Sequence, residues 1–185
     1  MSAPGTDIER HVYTVKPLEG CDPIVGTALW VMQDTRRRTL RELEGLPDEW
    51  LDRVPPMGNN TLGTILYHMA LAESGWLYDV IQQTLPPEIQ ELLSQEGWDE
   101  QGMLVKQEGT TLNTYLDRLK VVRERFLEVY KAMSVEEFRR LRDVPAWTGD
   151  IHHLTPERVL YHLVNHDAEH RGEIMMIVEH FRSHS

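Results

Sequence analysis

Apolar residues recur at three- and four-residue intervals in four long stretches of the chain. The first carries Val25, Ala28, Leu29, Met32, Leu40 and Leu43. That period marks one buried face of a helix. Asp22-Pro23 opens it with a capping acceptor and then proline at the first helical position, and Gly45 and Pro47 end it. The second starts at Asn59-Asn60-Thr61 and carries Leu62, Ile65, Leu66, Met69, Ala72, Trp76 and Val80 before Pro86-Pro87 close it. The third spans about 110 to 133, with Leu112, Tyr115, Leu116, Leu119, Val122, Phe126, Val129 and Met133 as the cleanest stripe. The fourth opens at Thr155-Pro156 and runs to about Arg182, roughly 40 Å at 1.5 Å per residue.

Two connections are longer than a simple bundle needs. The stretch 85–109 predicts a short helix over 88–95. The stretch 134–154 opens with Ser134 and Glu137 in capping-box spacing, which predicts a short helix over 135–142. No repeat, low-complexity segment or strand pair is evident. The pattern predicts an all-α four-helix bundle with short extra helices in the long connections. One domain over 22–185 would follow an N-terminal extension over 1–21.

Charge narrows the function classes. The chain has 185 residues, 30 acidic and 19 basic, for a net charge of −11. An acidic chain repels phosphate backbones, so no nucleic-acid partner is expected. Arg36, Arg37 and Arg38 with Arg41 form the one basic cluster, read as a solvated helix face beside Asp34, Glu42 and Glu44. The longest apolar runs are about five residues, against roughly twenty for a membrane span, so no membrane partner is expected. The N-terminus lacks the basic start and apolar stretch of a signal peptide, and a cytoplasmic location is expected. A single cysteine, Cys21, excludes a disulfide framework and fits a reducing compartment.

Histidine is the informative residue. There are nine, and seven lie between His152 and Ser185. His162, His166 and His170 stand four apart on the last helix. Residues four apart share a face about 6 Å apart along the axis, and two imidazoles so placed can converge on one ion. His162 and His170 are separated by about 12 Å of rise, so the pair is either His162/His166 or His166/His170. His68 on the second helix is the candidate third ligand. Alone it would be read as a hydrogen-bonded core histidine. Three histidines would leave coordination positions for water or substrate, the layout of a catalytic zinc site. His152 and His153 are read as exposed loop residues; His11, His180 and His184 carry no functional weight. A ferritin-like di-iron centre needs Glu-x-x-His motifs, and the chain contains none.

The segment NHDAEHRGEI resembles the H-x-x-x-H-R-G-Q signature of the DinB/YfiT-like metalloenzyme superfamily, and LGTILYHMALAESGWL resembles its other metal-binding segment. The resemblance covers about residues 22 to 182. It implies His68, His166 and His170 as ligands of one divalent metal ion, zinc or nickel, with His162 as a neighbour behind them. Glu173 departs from the family's usual glutamine. It could hydrogen-bond a ligand, act as acid or base, or face solvent.

Relatives in this family handle low-molecular-weight thiols such as bacillithiol or mycothiol. The resemblance therefore implies a small-molecule substrate and a thiol S-transferase activity. Metal-dependent hydrolysis and non-catalytic metal or ligand binding are the alternatives. Trp98, Trp147 and Tyr67 are expected near the pocket. The family also suggests a homodimer.

Overall fold

A computed structural model describes residues 13–56, 58–81, 84–145 and 150–184. Trp147, residues 1–12 of the expected extension, and the side chain of Val80 lie outside that description.

The four apolar stripes become four long helices. They are α1 (Pro23–Glu42), α2 (Leu62–Ile81), α4 (Leu112–Lys131) and α6 (Pro156–Ser183). Short helices α3 (Pro87–Leu92) and α5 (Val135–Phe138) sit in the two long connections, and a 3-10 turn covers Asp48–Trp50. The start signals act as their chemistry dictates. Asp22 accepts from Ile24 N at 2.8 Å, Thr111 from Thr114 N at 3.3 Å and Thr155 from Arg158 N at 3.0 Å, each satisfying a donor the helix leaves open. Ser134 and Glu137 form a full capping box on α5.

Among the described residues the chain departs from the all-helical expectation in both long connections: Trp98 and Leu104 form an isolated antiparallel bridge in the first, and the second holds a strand pair. Arg142–Pro145 (β1) pairs antiparallel with Ile151–Leu154 (β2), Asp143 opposite His153. The predicted helix over 135–142 therefore stops at Phe138, and His152 and His153 lie on a strand rather than in a loop. Each strand has four residues and only Val144 is buried, too short and too polar to show an alternating pattern.

Round the bundle the order is α1, α6, α2, α4, so α1 and α2 stand diagonally although they follow one another in the chain. The core runs through all four, with Leu29, Tyr67, Tyr115, Phe126 and Phe181 fully enclosed. Among the described residues no helix is long and apolar enough to cross a membrane.

One helix face contradicts its sequence reading. Arg36 is not solvated; it is 6% exposed, while Arg37 and Arg38 remain outside and pair with Asp34. Helical phase is the reason. Arg36 follows Met32 by four and Leu29 by seven, which puts it on the apolar stripe. It joins a buried cluster to which each of the other long helices contributes one charged residue, and it contacts those of α2 and α6 directly. Its Nε donates to Asp167 Oδ2 (2.7 Å) and its Nη2 to Glu73 Oε2 (2.9 Å). Arg123 donates through Nε to Glu73 Oε1 (2.5 Å) and through Nη2 to Glu73 Oε2 (3.0 Å). Thr39 donates to Asp167 Oδ1 at 2.5 Å. Two cations and two anions thus balance in the core, as buried charges must.

Candidate metal centre

α2 and α6 are neighbours in the bundle, and their histidines meet in the gap between them. His68 comes from the second turn of α2; His166 and His170 come from successive turns of α6. His166 Nε2 lies 2.9 Å from His68 Nε2 and 3.1 Å from His170 Nε2. One nitrogen from each of the three falls within 4.8 Å of the others, and this is the one such group among the described residues. The structure thus brings together His166 and His170, four apart, and leaves His162 outside. The His162 ring packs on Trp76 (4.7 Å between centroids) and stands 6.0 Å from that of His166.

Nitrogens bound to one ion at about 2.0–2.1 Å stand about 2.9–3.4 Å apart for angles between square and tetrahedral. The two His166 contacts fall in that range. Proton accounting points the same way. His170 Nδ1 hydrogen-bonds Glu173 Oε2 at 2.9 Å. An ionised carboxylate only accepts, so Nδ1 carries a hydrogen, and the neutral tautomer this selects is the one with its lone pair on Nε2. Burial, and next the neighbouring His170, push His68 down to about 4. Burial, then His170, His68 and His162, push His166 down to about 3, against the opposing pull of Asp167. Both rings are therefore neutral at pH 7. His68 Nδ1 is buried with no hydrogen-bond partner. Three converging ring nitrogens, those of His68 and His166 on neutral rings, fit a cation better than they fit one another.

The surroundings are asymmetric. Trp98 stands edge-on to His68, centroids 5.6 Å apart, and is 43% exposed. Its connection is tightly built. Asp99 Oδ1 accepts from Gln101 N (2.9 Å) and Met103 N (2.8 Å), and Gln107 Nε2 donates to Glu96 O (2.9 Å) and Val105 O (3.1 Å). A Cβ on Gly97 would run into Leu71 of α2, so glycine lets the connection lie flat on that helix. Tyr67 is not at the site. It is buried in the core and its hydroxyl donates to Gln95 O at 2.6 Å, anchoring the same connection.

On the other side Glu173 borders a cleft of about 250 Å³ walled by Asn59, Asn60, Ile65, Met176 and Ile177. Of the three roles open to Glu173 in the sequence, the structure realises the hydrogen bond to an imidazole. A larger cleft of about 570 Å³ opens between α1 and α4, with Arg36 and Arg123 on its wall and none of the clustered histidines. The chemistry therefore sits beside the smaller space. Cys21 lies at the start of α1, its Sγ donating to Leu18 O at 3.3 Å, and is no part of the cluster.

Sequence reasoning missed Glu73, Asp167, Arg36 and Arg123. The available signal was a charged residue standing inside each of the four apolar stripes.

A sequence profile of the DinB superfamily matches residues 32–174. A conserved protein from Enterococcus faecalis has a similar fold, with a TM-score of 0.63 and 12% identity over 84% of this chain and 95% of that one. YfiT from Bacillus subtilis, described as a probable metal-dependent hydrolase with an unusual four-helix bundle topology, is similar with a TM-score of 0.57 and 16% identity over 90% of this chain and 93% of that one. No curated protein matches the sequence.

Proposed function

The chain belongs to the DinB superfamily, and on that footing we propose that it is a divalent-metal-dependent enzyme acting on a small-molecule substrate. The observation that carries this reading is the meeting of three imidazole nitrogens from two helices. His68, His166 and His170 would hold the ion. Three imidazole donors suit zinc or nickel and disfavour magnesium or calcium, which take oxygen donors. A divalent ion with three protein ligands supplies Lewis acidity, polarising a carbonyl or lowering the pKa of a bound water or thiol.

The chain's own residues do the rest. Glu173 takes the Nδ1 hydrogen bond of His170 and so keeps its Nε2 lone pair turned inward. Trp98 stands edge-on against His68 and forms one side of the centre. Cys21, the one cysteine, lies outside the cluster, so a thiol nucleophile would arrive with the substrate. The favoured reaction is transfer of a low-molecular-weight thiol to an electrophile. Hydrolysis is the second reading. It draws support from Glu173, which is half-exposed at the edge of the cleft where it can accept a proton, and from the description of YfiT.

Untagged protein loaded with zinc or nickel, offered thiols with an electrophile and separately ester and amide substrates, tests this. Thiol-dependent conjugation that disappears in His170→Ala supports the transferase. Thiol-independent cleavage lost in the same variant supports the hydrolase. Bound metal with no turnover in either panel would replace both with a metal- or ligand-binding protein.

A further inference from the structure

A metal-ligating histidine is ordinarily oriented through its second ring nitrogen by a carboxylate, a carbonyl or water. Among the described residues only one of the three has a protein partner of this kind. His170 has Glu173; His68 Nδ1 is buried with no partner, and the hydrogen bonds of His166 run through Nε2 alone. Something other than a hydrogen bond to the ring must fix where His68 and His166 stand. What remains is the position of their helices, and the buried ion quartet sets that position.

Glu73 follows His68 by five residues on α2, and Asp167 follows His166 by one on α6. Arg36 grips both carboxylates at 2.7 and 2.9 Å, and Arg123 grips Glu73 while lying 3.6 Å from Asp167. All four are at most 6% exposed. α2 and α6 are thereby pinned to common partners within about 7.5 Å of axial rise of their imidazoles. Apolar side chains tolerate a small slide between helices; the single Arg36 contact to each carboxylate and the bidentate Arg123–Glu73 pair are charge-assisted and directional, and tolerate it less. Metal sites tolerate about 0.2 Å in ligand distance, far less than the 1.5 Å of a one-residue shift.

We propose that Arg36, Glu73, Arg123 and Asp167 are positioning residues for the three-histidine centre, holding α2 and α6 in the register that makes the nitrogens converge. This rests on the reading of that centre as a metal site. Their part is to preorganise the ligands; none touches the reacting atoms.

The test uses cobalt(II) as the probe, with affinity read by titration and geometry by the visible absorption of the bound ion. Glu73→Gln is nearly isosteric and lies away from the histidines. Phe126→Leu on α4 is the control, since it removes core packing against Tyr130 and leaves the quartet intact. The expected result is a cobalt affinity about 10–100-fold weaker and an altered spectrum in Glu73→Gln. Phe126→Leu, though less stable, should stay within about twofold of the parent in affinity. Parental affinity and spectrum in Glu73→Gln would overturn the proposal, as would an equal loss in Phe126→Leu. A parent chain that binds no cobalt would overturn the metal-site reading itself, a different and distinguishable failure.

Discussion

Arg36→Met removes the guanidinium that Asp167 and Glu73 share, and the size of the effect follows from what is left behind. Glu73 keeps both contacts to Arg123. Asp167 keeps Thr39 at 2.5 Å and a longer approach to Arg123 at 3.6 Å. The core is left with one uncompensated negative charge, and breaking a buried pair in this way costs about 3–5 kcal/mol. The remaining contacts of Arg123 favour the lower end. At about 2–4 °C per kcal/mol for a chain of this size, Tm should fall by about 6–20 °C. The pH dependence supplies a second check. Burial alone would raise the Asp167 carboxyl, but Arg36 and Arg123, with hydrogen bonds from Thr39 and Arg36, outweigh it and hold it below the ordinary value. Its contribution is therefore present above the ordinary carboxylate range and is lost as pH falls through the lowered value. Without Arg36 burial acts with less opposition, the carboxyl takes up a proton at higher pH, and the buried charge disappears. The stability gap between parent and variant should be widest near pH 7 and narrow toward pH 4. Urea unfolding of metal-free protein at both pH values, followed by far-UV circular dichroism, measures it. Arg37→Met is the control; that side chain is 59% exposed and should change stability by no more than about 0.5 kcal/mol. A loss below about 1 kcal/mol for Arg36→Met, or a gap independent of pH, would refute the reasoning.

Four further outcomes follow from the same geometry. His68→Ala and His170→Ala should each abolish stoichiometric zinc or nickel binding in equilibrium dialysis, and one ion retained per chain in both would rule out the three-histidine site. Glu173→Ala should weaken metal binding by about 10–100-fold, while Glu173→Gln, which keeps an acceptor for His170 Nδ1, should lose less; competition with a chromophoric chelator ranks them, and equal losses would count against the orienting role. His68 at about 4 and His166 at about 3 lie below an unfolded-state value near 6.5, so the unfolded chain binds more protons in between. Metal-free protein should accordingly be most stable above that value and lose stability as pH falls toward 4, with a shallower decline in His68→Leu, as urea midpoints would record. Gly63→Ala would place a methyl 2.8 Å from Tyr115 Oη and 3.2 Å from Leu51 O, and overpacking there should cost about 1–3 kcal/mol in the same unfolding assay.

The long helices were legible because each begins with chemistry that works locally. Asp22-Pro23 and Thr155-Pro156 satisfy open backbone donors within a few residues, wherever the rest of the chain goes. The histidine pair on α6 was legible for a similar reason, since a four-residue spacing fixes a shared face without tertiary information. The hairpin was not. Its two strands are exposed along most of their length and depend on pairing with each other, so neither carries a pattern of its own. Nor could spacing alone decide whether His162 or His170 partnered His166. That depended on where α2 delivers His68, and α2 is not adjacent in the chain to α6.

The buried quartet shows a deeper limit. Reading Arg36 with Arg37 and Arg38 as one charged run treats neighbours in sequence as neighbours in space, but successive helical residues point about 100° apart. Arg36 belongs with Leu29 and Met32, and its partners lie 37 and 131 residues away. The same rule separates His166 from Asp167. One offers a neutral lone pair to the cluster between α2 and α6, and the next turns a carboxylate to Arg36 and Thr39 in the bundle centre. A centre assembled from two helices needs their relative position fixed as firmly as its own side chains. Placing the clamp one residue from a ligand puts that restraint where a slide of the helix would do the most damage.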